Sequence, residues 1–393
     1  MNWKRQERLK ILTLNYEYPP VGGGGGYICK NIMEELAERG HEITVITSCY
    51  GNLPKEEFNE HLSVYRVPVL MRTKQDVGSL PSLLSYVPCC INKANKLLRK
   101  KKFDVINTHF AVPSGPAGRY LSKEHNISNI LTIYGGDIYD PTKFLSPHKT
   151  PFLRNTVRKM LNTADHVISD SHDIKNHARR LYRIAKPITV IPPGVRPFKG
   201  EKKNRKDLGL PESKTVLVTL GRLVARKNNT QLIEIIKKIE NLCDCHLVIM
   251  GDGPERPVLE KNIEQYGLKS RITLAGRVGE EKFQLMTSAD IYVSTALHEG
   301  FGLVFLEAME SGLPVLSYDN GGQTDFLIDG KTGFLVEVGD KEKFADRLVE
   351  LVQSVELRKK MSRHNREYIQ NFYTSRCAEK YIDILAKYSN NCR

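Results

Sequence analysis

The run from Asp290 through Leu297, then His298-Glu299-Gly300-Phe301-Gly302, then Leu303 to Gly312, leaves the backbone few choices. Asp290-Ile291-Tyr292-Val293-Ser294-Thr295-Ala296-Leu297 is β-branched and apolar, as a buried strand requires. Gly300 and Gly302 permit a tight turn and bring backbone amides close to a ligand. A helix is expected to start near Phe301 or Gly302, and Pro314-Val315-Leu316-Ser317 reads as the next strand. Strand, glycine turn, helix and strand make the unit of a parallel α/β sheet. Free N–H groups and the positive dipole end at the start of that helix suit a phosphate.

Two acids make the stretch unusual. Leu303, Val304, Phe305, Leu306, Ala308 and Met309 form an almost continuous apolar run, so the helix is buried on most sides. A carboxylate at Glu307 within it needs a hydrogen-bonding partner. Eight residues separate Glu299 from Glu307, slightly more than two helical turns, so both can face one ligand from different heights. The residues leave an alternative open, an ordinary ion pair for Glu307 and a solvated Glu299.

The same unit recurs along the chain. Lys10-Ile11-Leu12-Thr13-Leu14-Asn15 reads as a strand, Gly22 to Gly26 as the turn after it, Tyr27 to Arg39 as a helix and Glu42 to Thr47 as a second strand. Such a glycine run at the first strand-to-helix turn is where doubly wound sheets hold a phosphate or a sugar. The second strand ends in Thr47-Ser48, without the acid that a nicotinamide enzyme uses on the ribose. Further strands end in polar residues, at Thr108-His109-Phe110, at Tyr134-Gly135-Gly136-Asp137 and at Asp170-Ser171. Pro192-Pro193-Gly194-Val195 and the polar run Lys199 to Lys206 mark an interdomain linker. A second series follows, with strands at Thr215 to Leu220, His246 to Met250, Ile272 to Gly276, Asp290 to Ala296, Pro314 to Tyr318 and Gly333 to Val336. The expected architecture is α/β, with two Rossmann-like doubly wound domains and a ligand held in the cleft between them. The boundaries expected are 1–192 and 193–364. The closing segment 365–393, with Tyr368, Phe372, Tyr373 and Tyr381 at helical spacing, is expected to pack back on the first domain.

A net charge of +14 and a pI near 9.3 point to an anionic partner. Phosphorylated small molecules, an anionic membrane surface and nucleic acid all fit that charge. The chain shows no zinc, helix-turn-helix or aromatic-interleaved basic pattern, which argues against nucleic acid. Between Leu80 and Lys102 an apolar patch precedes Lys93, Lys96, Arg99, Lys100, Lys101 and Lys102. That pattern suits either a solvated surface helix or one lying on an anionic membrane. The charged start, Met1 to Arg8, lacks a secretory apolar core, and none of the eight cysteines forms a CxxC. A cytoplasmic protein with reduced thiols is expected. The sequence shows no Asp-x-Asp and no His-Cys cluster.

Taken together these residues resemble the family 4 retaining glycosyltransferases, which have the two-domain GT-B fold. The resemblance spans nearly the whole chain and is most specific in the second half. Glu299 and Glu307 are similar to that family's E-x7-E signature, and Gly221-Arg222-Leu223-Val224-Ala225-Arg226-Lys227 to its basic phosphate-binding segment. Gly251-Asp252-Gly253-Pro254, Gly276-Arg277-Val278 and Gly321-Gly322 fall where the family has equivalents, and Gly22 to Gly26 resembles its loop over the donor. The resemblance implies an acceptor-side first domain and a donor-binding second domain. It also implies a metal-independent transfer from a UDP- or GDP-sugar to a hydroxyl of a glycan or lipid-linked acceptor. Glu299, His109, Arg222 and Lys227 would act at the reacting sugar and its leaving diphosphate. Gly23, Gly24, Gly25, Asp252, Val278, Phe301, Gly302, Leu303 and Glu307 would hold the donor, with Glu307 on the nucleotide ribose. Tyr134, Gly136, Asp137 and Ser171 are candidates on the acceptor side. The chain departs from the family at Tyr134, where His is common, at Pro193-Gly194-Val195-Arg196 in the linker, and at Asp325, where Glu is expected. A GT-B phosphorylase or nucleotide-sugar epimerase is the nearest rival.

Overall fold

The computed structural model describes residues 8–142 and 146–389. The chain divides at Gly194/Val195 and again at Tyr373/Thr374, giving two compact units. In the first, eight strands run β1 Lys10–Asn15, β2 Glu42–Ser48, β3 Glu56–Phe58, β4 Leu62–Val67, β5 Val105–His109, β6 Asn129–Ile133, β7 His166–Ser169 and β8 Ile188–Val190. They lie in the order β3-β4-β2-β1-β5-β6-β7-β8, all parallel except β3. In the second, β9 Thr215–Leu220, β10 Cys245–Met250, β11 Ile272–Gly276, β12 Ile291–Ser294, β13 Val315–Tyr318 and β14 Gly333–Val336 form a parallel sheet, ordered β11-β10-β9-β12-β13-β14.

The strands read as near-continuous Val, Ile and Leu because helices cover both faces of each sheet. In the first unit Leu12, Leu14 and Ile106 pack with Tyr86, Cys90, Ala94 and Leu97 on one face. By register Leu131, Ile133 and Val167 lie on the same face as Ile106, farther along the sheet, and pack with Val157, Leu161 and Ile174. The helix Leu80–Leu98 buries Tyr86, Cys90, Ala94 and Leu97, one stripe at helical spacing. Two cations near it fold back on the protein: Lys93 meets Glu56 at 2.7 Å, and Lys101 donates to Thr44 Oγ1. No helix among the described residues is long and apolar enough to cross a membrane.

Three local expectations need correcting. The first helix starts at Gly24 rather than Tyr27 and ends at Glu38, so Gly24, Gly25 and Gly26 form its first turn. Phe110 explains one of them, because a Cβ on Gly25 would drive into its ring. Strand β5 runs on through the polar residues expected to follow it, which makes His109 its last residue. The third concerns 365–373, which belongs to the second unit. Ile369, Tyr368, Phe372 and Tyr373 pack into its core beside Phe326 and Phe301. Buried Asn365 donates to the carbonyls of Leu313 and Thr332 at 2.7 and 2.9 Å. Only the helix Thr374–Lys387 returns to the first unit, where the Tyr381 hydroxyl meets Thr132 Oγ1 at 2.8 Å.

Asn365→Ala removes the buried donor that serves two carbonyls, of which Thr332 O keeps Val315 N at 3.1 Å, a loss of about 2 kcal/mol. The unfolding midpoint of the second unit should fall by about 4–8 °C, whereas an unchanged midpoint would mean water replaces the amide.

Candidate functional site

Both sheets reverse direction at one place. In the second unit the chain leaves β9 toward β10 and β11, then returns to β12 on β9's other side. The carboxyl ends of β9 and β12 therefore flank the crevice where such sheets bind ligands. Gly221 to Lys227 follows β9, and Thr295 to Gly302 follows β12. Hydrogen bonds to backbone carbonyls lace the two loops together. Leu297 N donates to Arg226 O at 2.9 Å, and Thr295 Oγ1 donates to Asn228 O at 2.9 Å. Arg226 Nη1 donates to His298 O at 2.8 Å.

Glu299 is the centre of this arrangement. Its Oε1 lies 2.5 Å from Lys227 Nζ and its Oε2 lies 3.2 Å from Arg226 Nη1. Burial pushes its carboxyl up, but the charges of Lys227 and Arg226 outweigh that, and it is held below the ordinary carboxylate range. Glu299 is thus a buried, ionised, paired carboxylate, not a solvated one. Its backbone is fixed too, with Gly322 N donating to Glu299 O at 2.8 Å and a parallel bridge to Gly321. The helix Leu303–Glu310 then begins from Gly302, whose φ of 86° is left-handed, and a Cβ there would strike the Phe305 ring. Half-buried Leu303 and Val304 supply first-turn amides without partners inside the helix.

Glu307 has the alternative arrangement, a tertiary ion pair. Lys282 Nζ, from the helix Lys282–Thr287, lies 2.6 Å from its Oε1. Burial raises the Glu307 carboxyl above its usual range, and Lys282 offsets only part of that rise. Both acids keep about 7% of their surface exposed, so each can still meet a ligand. Arg222 is half-buried after β9, and the Lys227 side chain passes within 2.7 Å of where a Cβ on Gly221 would lie. Asp252 is exposed and accepts from Gly253 N through Oδ1, while its carbonyl accepts from Leu223 N. Phe301 is buried, and Val278 packs half-buried against the same apolar cluster.

In the first unit the reversal falls between β1 and β5, where Asn15 and His109 stand side by side in register. Gly23 and Gly24 are exposed, and Gly23 N donates to Glu17 Oε2 at 2.9 Å. His109 is sealed, with no exposed surface. Its Nε2 lies 2.9 Å from Asn107 Nδ2 and its Nδ1 lies 2.6 Å from the Tyr134 hydroxyl. Asn107 donating fixes the tautomer with the proton on Nδ1. The Tyr134 and Tyr381 rings lie nearly parallel to the imidazole, with centroids 6.0 and 6.4 Å away. Burial pushes the His109 imidazole down to about 3, so it is neutral at pH 7.

The acceptor-side candidates divide. Asp137 is buried and accepts from Tyr134 N at 2.9 Å and Ala111 N at 2.5 Å, which holds the turn after β6. Ser171 caps the helix His172–Tyr182 by accepting from Ile174 N. Gly136 is exposed. Sequence reasoning passed over Arg226, which lay inside the quoted basic segment, and Glu17 and Lys282, which carry no motif. The buried acid at 307 was the only sign that a distant cation had to exist.

Comparisons with known proteins come from both halves. Residues 22–197 match the family described as Glycosyltransferase Family 4, and residues 200–368 match Glycosyl transferases group 1. N-acetyl-alpha-D-glucosaminyl L-malate synthase of Bacillus anthracis is 28% identical over 378 residues, covering 93% of this chain and 94% of the relative. Alpha-monoglucosyldiacylglycerol synthase of Acholeplasma laidlawii is 24% identical, covering 96% and 98%. Among solved structures, the Anabaena protein HepE in complex with UDP and glucose aligns with a TM-score of 0.77 at 20% identity, covering 97% and 100%. Likeness at this level shows the fold, two Rossmann-like units of the GT-B class.

The neutral, sealed His109 makes a pH dependence measurable. An unfolded His takes up a proton below about 6.5, whereas the folded one refuses it until about 3. Stability is therefore lost as pH falls through that window, by up to about 1.4 kcal/mol per unit. Between pH 7 and 4.5, His109→Gln should lose about 2–3 kcal/mol less of the first unit's stability than wild type does. Parallel profiles would contradict a sealed neutral ring.

Proposed function

Because the chain belongs to glycosyltransferase family 4 and is a glycosyltransferase, we propose that it moves a sugar from a nucleoside diphosphate sugar to a hydroxyl. The donor is a UDP- or GDP-sugar and the acceptor a glycan or lipid-linked molecule, in polysaccharide or glycolipid assembly. The observation that carries this reading is the pair of cations, Lys227 and Arg226, held on the Glu299 carboxylate beside the start of the Leu303–Glu310 helix. A diphosphate leaving group needs positive charge that strengthens as the bond breaks. Lys227 offers a point charge, Arg226 and Arg222 offer planar forks, and the helix start offers aligned amides. In this reading the diphosphate takes up the cations, and Glu299 turns one carboxylate oxygen toward a hydroxyl of the transferred sugar. Glu307 accepts from the nucleotide ribose, with Lys282 offsetting part of the burial that raises its carboxyl.

The positive charge at the leaving group comes from side chains and amides, so the reading includes no metal. Retention follows by front-side attack, in which the donor phosphate takes the acceptor's proton and no second carboxylate serves as nucleophile. His109, neutral and enclosed, orients the Tyr134 hydroxyl instead of transferring a proton. A glucose-and-UDP complex of a protein with the same fold, and a relative named for making a glycolipid, support the donor and acceptor classes.

Lys227→Ala and Glu307→Ala should each lower kcat/KM by at least about a hundredfold and weaken nucleotide binding about tenfold, with the fold retained. Wild-type nucleotide affinity in either variant, measured by titration calorimetry, would overturn the assignment.

A further inference from the structure

A second concentration of positive charge lies in the first unit. The segment His148 to Pro151, the first turns of the helix Pro151–Thr163 and the end of the helix His172–Tyr182 enclose a cavity of about 310 Å³. Lys149, Arg154, Arg158 and Arg183 line it, and no carboxylate does. Among the described residues none of the four is in an ion pair. Arg154 Nε donates to Leu181 O at 3.1 Å, leaving its Nη groups for another acceptor, and Lys149 Nζ donates to Pro141 O. Asp140, whose charge acts on the lining residue His148, is engaged by Thr142, through N at 3.0 Å and Oγ1 at 2.8 Å.

This arrangement costs the fold something. Arg154 and Arg158 stand four apart on one helix face, where like charges repel. Arg154 and Lys149 sit at the positive end of that helix, whose first turn holds no acid. Arg183 adopts a left-handed φ of 52°, a position that Gly or Asn fills with less strain. Beside them burial and the Lys149 charge push the His148 imidazole down, a further sign of local positive potential. An anion seated among these groups removes the repulsion and gains charge-assisted hydrogen bonds.

We propose that this cavity is a second anion site, which binds a phosphate group through Arg154, Arg158, Lys149 and Arg183. A phosphate on a lipid headgroup and one on a soluble molecule present the same oxygens to it. Phe152, on the first turn of the same helix and 74% exposed, adds an apolar contact that only the lipid would use.

The test uses the full chain in two arms, each with Arg154→Gln/Arg158→Gln, and with Arg158→Gln/Arg183→Asn in case losing the Leu181 contact disturbs the fold. In the first arm inorganic phosphate is titrated into a Lys227→Ala background, so that binding near Glu299 does not mask the cavity. Both pairs should bind phosphate at least about tenfold more weakly than the background protein. In the second arm, sedimentation with vesicles of phosphatidylglycerol in phosphatidylcholine at low salt compares each pair with wild type. A loss of vesicle binding in the pairs assigns the phosphate to a headgroup, and a loss in the first arm alone assigns it to a soluble ligand. Pairs that match their parents in both arms overturn the proposal.

Discussion

A carboxylate removed from water must be paired or neutralised, and Glu299 is paired twice. Taking it out of water costs several kcal/mol, so Lys227 and Arg226 have to be in place for the loop after β12 to close at all. One residue thereby joins the two loops that flank the sheet's reversal, and it sets the cations in position before any ligand arrives. Charge that is arranged in advance needs no reorganisation when a leaving group develops negative charge, which is how such groups speed a reaction. In the proposed reading, the same ion pairs that let the loop fold also prepare it for a diphosphate.

The first unit solves a different problem. Its reversal brings Asn15 and His109 together, yet the imidazole lies between two aromatic rings with both nitrogens engaged. The Thr374–Lys387 helix contributes one of those rings, Tyr381, whose hydroxyl also meets Thr132. A ring so enclosed stays neutral and fixes the direction of the Tyr134 hydroxyl. Burial keeps the imidazole neutral, and both its nitrogens are spent on Asn107 and Tyr134.

Every strand of the second unit was legible, because parallel strands covered on both faces read as unbroken β-branched runs. The glycine-started helix was harder, since Gly24 to Gly26 have poor helix propensity, and the Phe110 ring that leaves no room for a side chain on Gly25 is distant in sequence. The segment 365–373 was misplaced because its aromatic spacing shows that a face is buried without showing against what. The E-x7-E acids were found from their sequence setting, and the need for a partner at Glu307 followed from the apolar run around it. That the partner was Lys282 followed from nothing local, since its position depends on how a short helix packs. Glu299 was expected to meet a ligand, and its burial on Arg226 and Lys227 became visible only when β9 and β12 were found side by side.

The most direct test of the anion clamp compares nucleoside diphosphates with their nucleosides. UDP, GDP, ADP and dTDP are each set against uridine, guanosine, adenosine and thymidine in a thermal unfolding series. At least one diphosphate should raise the midpoint by several degrees where its nucleoside leaves it unchanged, and added salt should shrink the rise. A nucleoside that stabilises the protein as well as its diphosphate does would contradict the claim that Lys227 and Arg226 wait for phosphate.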